Sequence, residues 1–179
     1  MSKTVDILAT AIRSAVNGEP FDNVVNKLKE LDEVKVKVWR EHESVKLPTY
    51  AKEGDACMDI YVHDIEMKSN GRVVYHTGLH FKLPDDYEME IRPRSSNTKT
   101  VAVMQNAPGT LDEGYTGELM IVHRNVDFPT IANPQYKIGD RCAQILVRRR
   151  ERIVWDEVTN IEDLGTTERG AGGFGSSGK

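Results

Sequence analysis

The sequence predicts a mostly β fold, a jelly-roll-like barrel or sandwich of short strands, with an α-helical hairpin in front and a flexible arm behind. Three observations predict it. Helical spacing of apolar residues stops before residue 34, and alternation starts there with "VKVKVW" at 34–39. Short β-rich runs then follow one another, separated by Gly, Pro, Asp and Asn. The last stretch, "RGAGGFGSSGK" at 169–179, has almost no apolar surface to bury.

Each element has its own warrant. Val5, Leu8, Ile12 and Ala15 recur at helical spacing, and "NGEP" at 17–20 interrupts them. Phe21, Val24, Val25, Leu28 and Leu31 form a second stripe. Two helices of this size are too short to be stable alone, so residues 1–33 must pack on something. Strands are expected at "VKVKVW", "ACMDIYV", "GRVVYHTGLHFKL", "YEMEIR", "ELMIVHR", "AQILVRR" and "RIVWDEV", giving a β core over 34–165 and an arm over 166–179.

A chain of 179 residues suits one domain with a real core. Lys and Arg number 24 against 28 Asp and Glu, and this mild acidity argues against nucleic acid as the main partner. "RRRER" at 148–152 reads as the solvated end of a strand. No apolar stretch approaches membrane-spanning length, and the first residues lack the core and cleavage site of a signal peptide. Cys57 and Cys142 lie far from any metal-ligand spacing, which points to a reduced, cytoplasmic setting. His76 and His80 can share a strand face but have no acidic or Cys companions nearby in sequence, so they read as surface residues, not zinc ligands.

Two phosphate-binding readings meet at the C-terminus. "GFGSSGK" spells G-x-x-x-x-G-K, but no Ser or Thr and no helix follow Lys179, so a P-loop fails on context. The other reading is a segment that folds over a phosphorylated ligand, offering backbone N–H groups, cations and a ring.

Five stretches supply the rest: "EGDACMDIY" at 53–61, "RPRSSN" at 92–97, "NAPGTLDEGYTGEL" at 106–119, "IGDRCAQI" at 138–145 and "RGAGGFGSSG" at 169–178. In order, spacing and wording they resemble the five motifs of the homotrimeric dUTPase family, over roughly residues 34–179. By pattern alone, 106–119 is a hairpin with Asp112 and Tyr115 near its tip, and Asp112 a turn residue. The resemblance implies more. Asp112 is the catalytic carboxylate that positions the water attacking the α-phosphorus of dUTP, giving dUMP and pyrophosphate. Tyr115 packs under the deoxyribose and rejects a 2′-hydroxyl. Asn106, with backbone groups that include Gly109, reads the uracil edge. Arg94, Ser95, Ser96 and Gln144 contact phosphate, with Asp59 and Asp140 in support. Arg169, Phe174, Gly175, Ser176 and Ser177 close over the nucleotide from the arm. Mg2+ is the implied cofactor, held chiefly by the triphosphate, with Asp59 acting through water and no direct protein ligand. The implied assembly is a homotrimer with shared sites, serving nucleotide-pool sanitation and dUMP supply.

The chain departs from the family pattern at Cys57, commonly Gly, and at Gly114, where many members carry Asp; its helical N-terminus lies outside the family core. "DEGYTG" also approaches the dCTP deaminases of the same superfamily. Their catalytic Glu falls on Val122, which cannot shuttle protons, their Arg falls on Lys99, and they lack a "GGFGSSG" ending. A regulatory nucleotide-binding protein on this fold is the third class, opposed by the retained Asp112, Tyr115, Gln144 and arm.

Overall fold

A computed structural model describes residues 3–29 and 33–172. Two helices lead, α1 (Lys3–Val16) and α2 (Phe21–Lys29). α1 ends where Gly18 takes φ +71°, with Glu19 N donating to Ser14 O and Gly18 N to Ala15 O. That is a Schellman closure, and it needs the left-handed residue that glycine supplies. α1 buries Ala11 and Ser14, and the two helices make their main contacts with each other.

Nine strands follow: β1 (Lys37–Arg40), β2 (Met58–Tyr61), β3 (Asp64–Met67), β4 (Arg72–Lys82), β5 (Tyr87–Arg92), β6 (Ala102–Met104), β7 (Gly109–Leu111), β8 (Glu118–Asn125) and β9 (Arg141–Arg149). They form two antiparallel sheets. One runs β1-β4-β8-β6 with β3 also on β4; the other runs β2-β9-β5-β7. The core lies between them. Tyr75, Leu79, Leu119 and Ile121 enter from the first sheet, and Ile60, Met89, Ala143 and Ile145 from the second. β8 shows the reason: Leu119, Ile121, His123 and Asn125 point in while the residues between them point out. Each fully buried Leu or Ile contributes about 1.5–3 kcal/mol.

The class is mostly β. The sheets stay separate and do not close into a barrel, because their edge strands β1, β2, β6 and β7 are only three or four residues long. "VKVKVW" yields a strand only from Lys37, since Lys37 pairs with Lys82 and β4 ends there, just before Pro84. β3 and β6 were not among the expected strands, and β7 was expected only as one arm of the 106–119 hairpin. "RIVWDEV" forms no strand: Ile153, Val154 and Trp155 are exposed, and among the described residues no strand edge receives them.

Candidate active site

The second sheet assembles the first half of the site. Asp59 on β2 lies opposite Gln144 on β9, and Gln144 lies opposite Arg92 on β5. Pro93 has no N–H to extend the ladder, and β5 stops. Arg94 then turns back across the strand ends. Its Nε donates to Asp59 Oδ1 at 2.7 Å, and its Nη1 donates to Ser96 Oγ at 3.1 Å. Arg141 Nη1 takes the other oxygen, Asp59 Oδ2, at 3.0 Å. Thus one buried carboxylate aims two guanidiniums, and the cluster keeps a net positive charge. Gln144 Nε2 donates to Pro93 O at 2.9 Å, which leaves its carbonyl oxygen outside that bond. Ser95 stays exposed beside Ser96 in a short 3-10 helix. The surface so formed is rich in donors and suits phosphate oxygens.

A pocket of about 430 Å³ makes the second half, walled by Ile91, Gly109, Leu111, Tyr115, Glu118 and Val122. Asn106 lines it too, with its amide tied to β8. Its Nδ2 donates to Met120 O at 2.8 Å, and its Oδ1 accepts from Val122 N at 3.0 Å. The side chain so replaces a missing ladder partner of β8. After the cis Ala107–Pro108 bond, Gly109 passes so close that a Cβ there would stand 2.6 Å from Asn106 O. Only glycine allows that approach. Tyr115 is half exposed; its Oη donates to Glu118 O at 3.0 Å, and its ring covers Gly117, where a Cβ would lie 2.5 Å from the hydroxyl.

Asp112 sits between Leu111 and Tyr115, which both line the pocket. Its carbonyl accepts from Tyr115 N at 3.0 Å, and among the described residues its exposed carboxylate has no hydrogen-bond partner. Glu113 fixes this turn. Its carbonyl accepts from Lys82 Nζ at 2.8 Å and its Oε2 from Asp86 N at 2.7 Å, with Arg150 3.6 Å away. The expected hairpin is corrected here. β7 pairs with β5 and β8 pairs with β4 and β6, so the turn crosses between sheets. The cause is that Leu111 and Leu119 are both drawn into the core, one from each sheet.

The two halves lie apart within one chain. Leu111 is opposite Met89, and from Met89 to Arg92, where β5 ends beside Gln144, the strand climbs about 10 Å at ~3.3 Å per residue. Asp140 holds the turn before β9, its Oδ2 accepting from Lys137 N at 2.8 Å. Arg169 bends onto its own loop, Nε to Gly172 O at 2.9 Å. Phe174, Gly175, Ser176 and Ser177 lie outside the described residues. Sequence reasoning missed the grip of Arg141 on Asp59 and that of Glu113 on the turn. "IGDR" and "LDEG" contained both residues, but their partners lie far off in sequence.

A family model described as dUTPase matches residues 43–178. The chain belongs to the dUTPase family. It is 39% identical over 155 residues to a deoxyuridine 5'-triphosphate nucleotidohydrolase of Fusobacterium nucleatum, spanning 83% of this chain and 100% of that one. A protein of the same name from Solibacter usitatus is 37% identical over 152 residues, spanning 82% and 97%. Among solved structures, a Staphylococcus bacteriophage 80alpha dUTPase mutant with dUpNHpp superposes with a TM-score of 0.65. That match has 23% identity over 81% of this chain and 99% of the phage chain, a likeness of fold.

Proposed function

We propose that this chain hydrolyses dUTP to dUMP and pyrophosphate, removing dUTP from the nucleotide pool. The observation that carries the proposal is the Asp112 carboxylate, without a hydrogen-bond partner among the described residues and held on a tied turn beside the Tyr115 pocket. A carboxylate so placed accepts the proton of a water attacking the α-phosphorus. The pocket takes the nucleoside. Tyr115 lies under the deoxyribose, where a ribose hydroxyl has no room. The Asn106 amide spends one N–H and one lone pair on β8 and keeps one of each, so it reads the uracil edge together with main-chain groups around 106–109.

Arg94, Ser95, Ser96 and Gln144 take the phosphates, and Asp59 orients Arg94 and Arg141 for that work. Magnesium fits this arrangement as a passenger of the triphosphate, since both Asp59 oxygens already face guanidiniums. When bound, it neutralises phosphate charge.

A homotrimer completes the site. An α-phosphorus must stand about 3–3.5 Å from its nucleophile, yet the two halves are separated along the strand by several times that. A neighbouring copy therefore brings its Arg94 cluster to this Asp112. The bare apolar run of Ile153, Val154 and Trp155 supplies a reason to associate. The arm, with Arg169, Phe174, Gly175, Ser176 and Ser177, closes over the nucleotide. The free thiols of Cys57 and Cys142 are in keeping with a cytoplasmic enzyme.

The test is incubation of the full chain with Mg2+ and, separately, dUTP, dCTP, dTTP and UTP, with products separated by chromatography. Only dUTP should yield the monophosphate and pyrophosphate. Ammonia released from dCTP would replace this reading by deamination.

A further inference from the structure

β4 breaks its register against β8 between His76 and His80: His76 faces Met120, and His80 faces Glu118. Between these pairs three residues on β4, Thr77, Gly78 and Leu79, oppose the single Leu119 on β8, so they bulge. Gly78 takes φ +64°, and a Cβ there would stand 2.6 Å from Val45 Cγ2. The bulge brings both histidines to one stretch of chain, the 116–118 segment behind Tyr115. His76 Nδ1 lies 2.8 Å from Glu118 Oε2, and Gly78 N donates to Glu118 Oε1 at 2.9 Å. His80 Nδ1 lies 2.9 Å from Thr116 O, and its Nε2 lies 2.9 Å from Glu41 Oε1.

The partners of His80 are a carbonyl and a carboxylate, both acceptors only. A neutral ring has one N–H and can serve one of them. Only the imidazolium serves both. His76 repeats the pattern more loosely, with Glu66 Oε2 3.5 Å from its Nε2. We infer that His76 and His80 are positioning residues which, as imidazolium ions, hold the 116–118 segment and thereby set the affinity of the Tyr115 pocket. This rests on the reading of that pocket as the nucleoside site.

The surroundings agree. Around His76 stand Glu118 on β8, Glu66 and Asp64 on β3, and Lys68, which pairs with Glu66. Around His80 stand Glu41 past β1, Glu118 on β8 and the Trp39 ring at 5.0 Å. Glu41 and the Thr116 carbonyl raise the His80 pKa above its ordinary value. For His76 burial opposes the charge, but Glu118 and Glu66 outweigh it and the pKa rises. The sign follows. The clamp is whole below the ordinary histidine pKa and is lost as pH rises through the raised values.

The test pairs NMR titration of the ring signals with calorimetry of a non-hydrolysable imido analogue of dUTP plus Mg2+, on the full chain. Both rings should titrate above about 6.5. The wild-type Kd should weaken about fivefold or more between pH 6 and 9, as hydrogen bonds of ordinary worth are lost. A His76→Asn, His80→Asn double variant keeps an N–H near each Nδ1 position and does not titrate, so its Kd should stay flat and tight. Alanine at both positions should bind weakly at every pH. If the alanine variant fails to fold, the wild-type and asparagine series decide alone. Either ring titrating at or below 6.5, or wild-type affinity as flat as that of the asparagine variant, overturns the inference. Failure of the underlying reading shows separately, as a Tyr115→Ala variant that binds the analogue as tightly as wild type; the inference then falls with it.

Discussion

Asp112 differs from the other carboxylates near the candidate site by what it does not hold. Asp59, Glu113 and Glu118 each meet a cation or an N–H, while the exposed Asp112 carboxylate has no hydrogen-bond partner among the described residues. Asp112→Asn keeps the size and removes the base. We expect kcat to fall by on the order of 10²–10⁴ with analogue binding retained, measured by steady-state kinetics and calorimetry; near-normal turnover would place the base elsewhere. His123 is the reverse case, a polar group shut in. It lies between the Tyr75 and Tyr136 rings, at 5.4 and 5.5 Å, and neither ring nitrogen has a partner among the described residues. Burial pushes its pKa down to about 4. The unfolded ring takes a proton near 6.5 that the folded ring refuses until about 4. Stability is therefore unaffected above that window and declines as pH falls through it, by roughly 3 kcal/mol in all. His123→Phe should shrink the loss of stability between pH 7 and 4.5 in urea denaturation; an equal loss in both proteins would clear His123 of that role.

At the scale of elements, the helical hairpin stands apart. α1 and α2 meet chiefly each other, Leu8, Ile12, Val16 and Phe21 stay exposed, and the family match starts at residue 43. Removing residues 1–33 should leave a folded chain with unchanged kcat/KM for dUTP and lower solubility or stability. Loss of activity in the truncated protein would make the hairpin part of the working core. Strands were legible where one face is buried, as in β8, because burial at period two writes itself into the residues. "RIVWDEV" has the same look and forms no strand, since pairing needs an edge and an edge is not a property of the segment. The 112–115 turn was legible as a turn, but not as a crossing between sheets.

The whole molecule raises the question of a site in two places. If the arm reaches a neighbour's site, two inactive variants should complement: Asp112→Asn with its arm, and intact Asp112 without residues 169–179. Unfolded and refolded together, mixed trimers then hold some sites with Asp112 from one chain and an arm from another. Activity should reappear in the mixture. Mixed trimers confirmed by mass, yet no more active than the separate variants, would show that each arm serves its own chain.

By itself the sequence determined the β class, the family and the identity of the chemical groups. Alternation, turn residues and the five motifs are local, and local chemistry is written residue by residue. Only the tertiary structure decided which groups meet. It put Arg94 and Arg141 on one carboxylate across 35 and 82 positions of sequence. It turned Asn106 toward β8, bulged β4 so that two histidines flank one segment, and parted Asp112 from the phosphate-type cluster. Those outcomes depend on strand register and on which edges find partners. Both are set by packing between segments distant in the chain, and no single segment carries them.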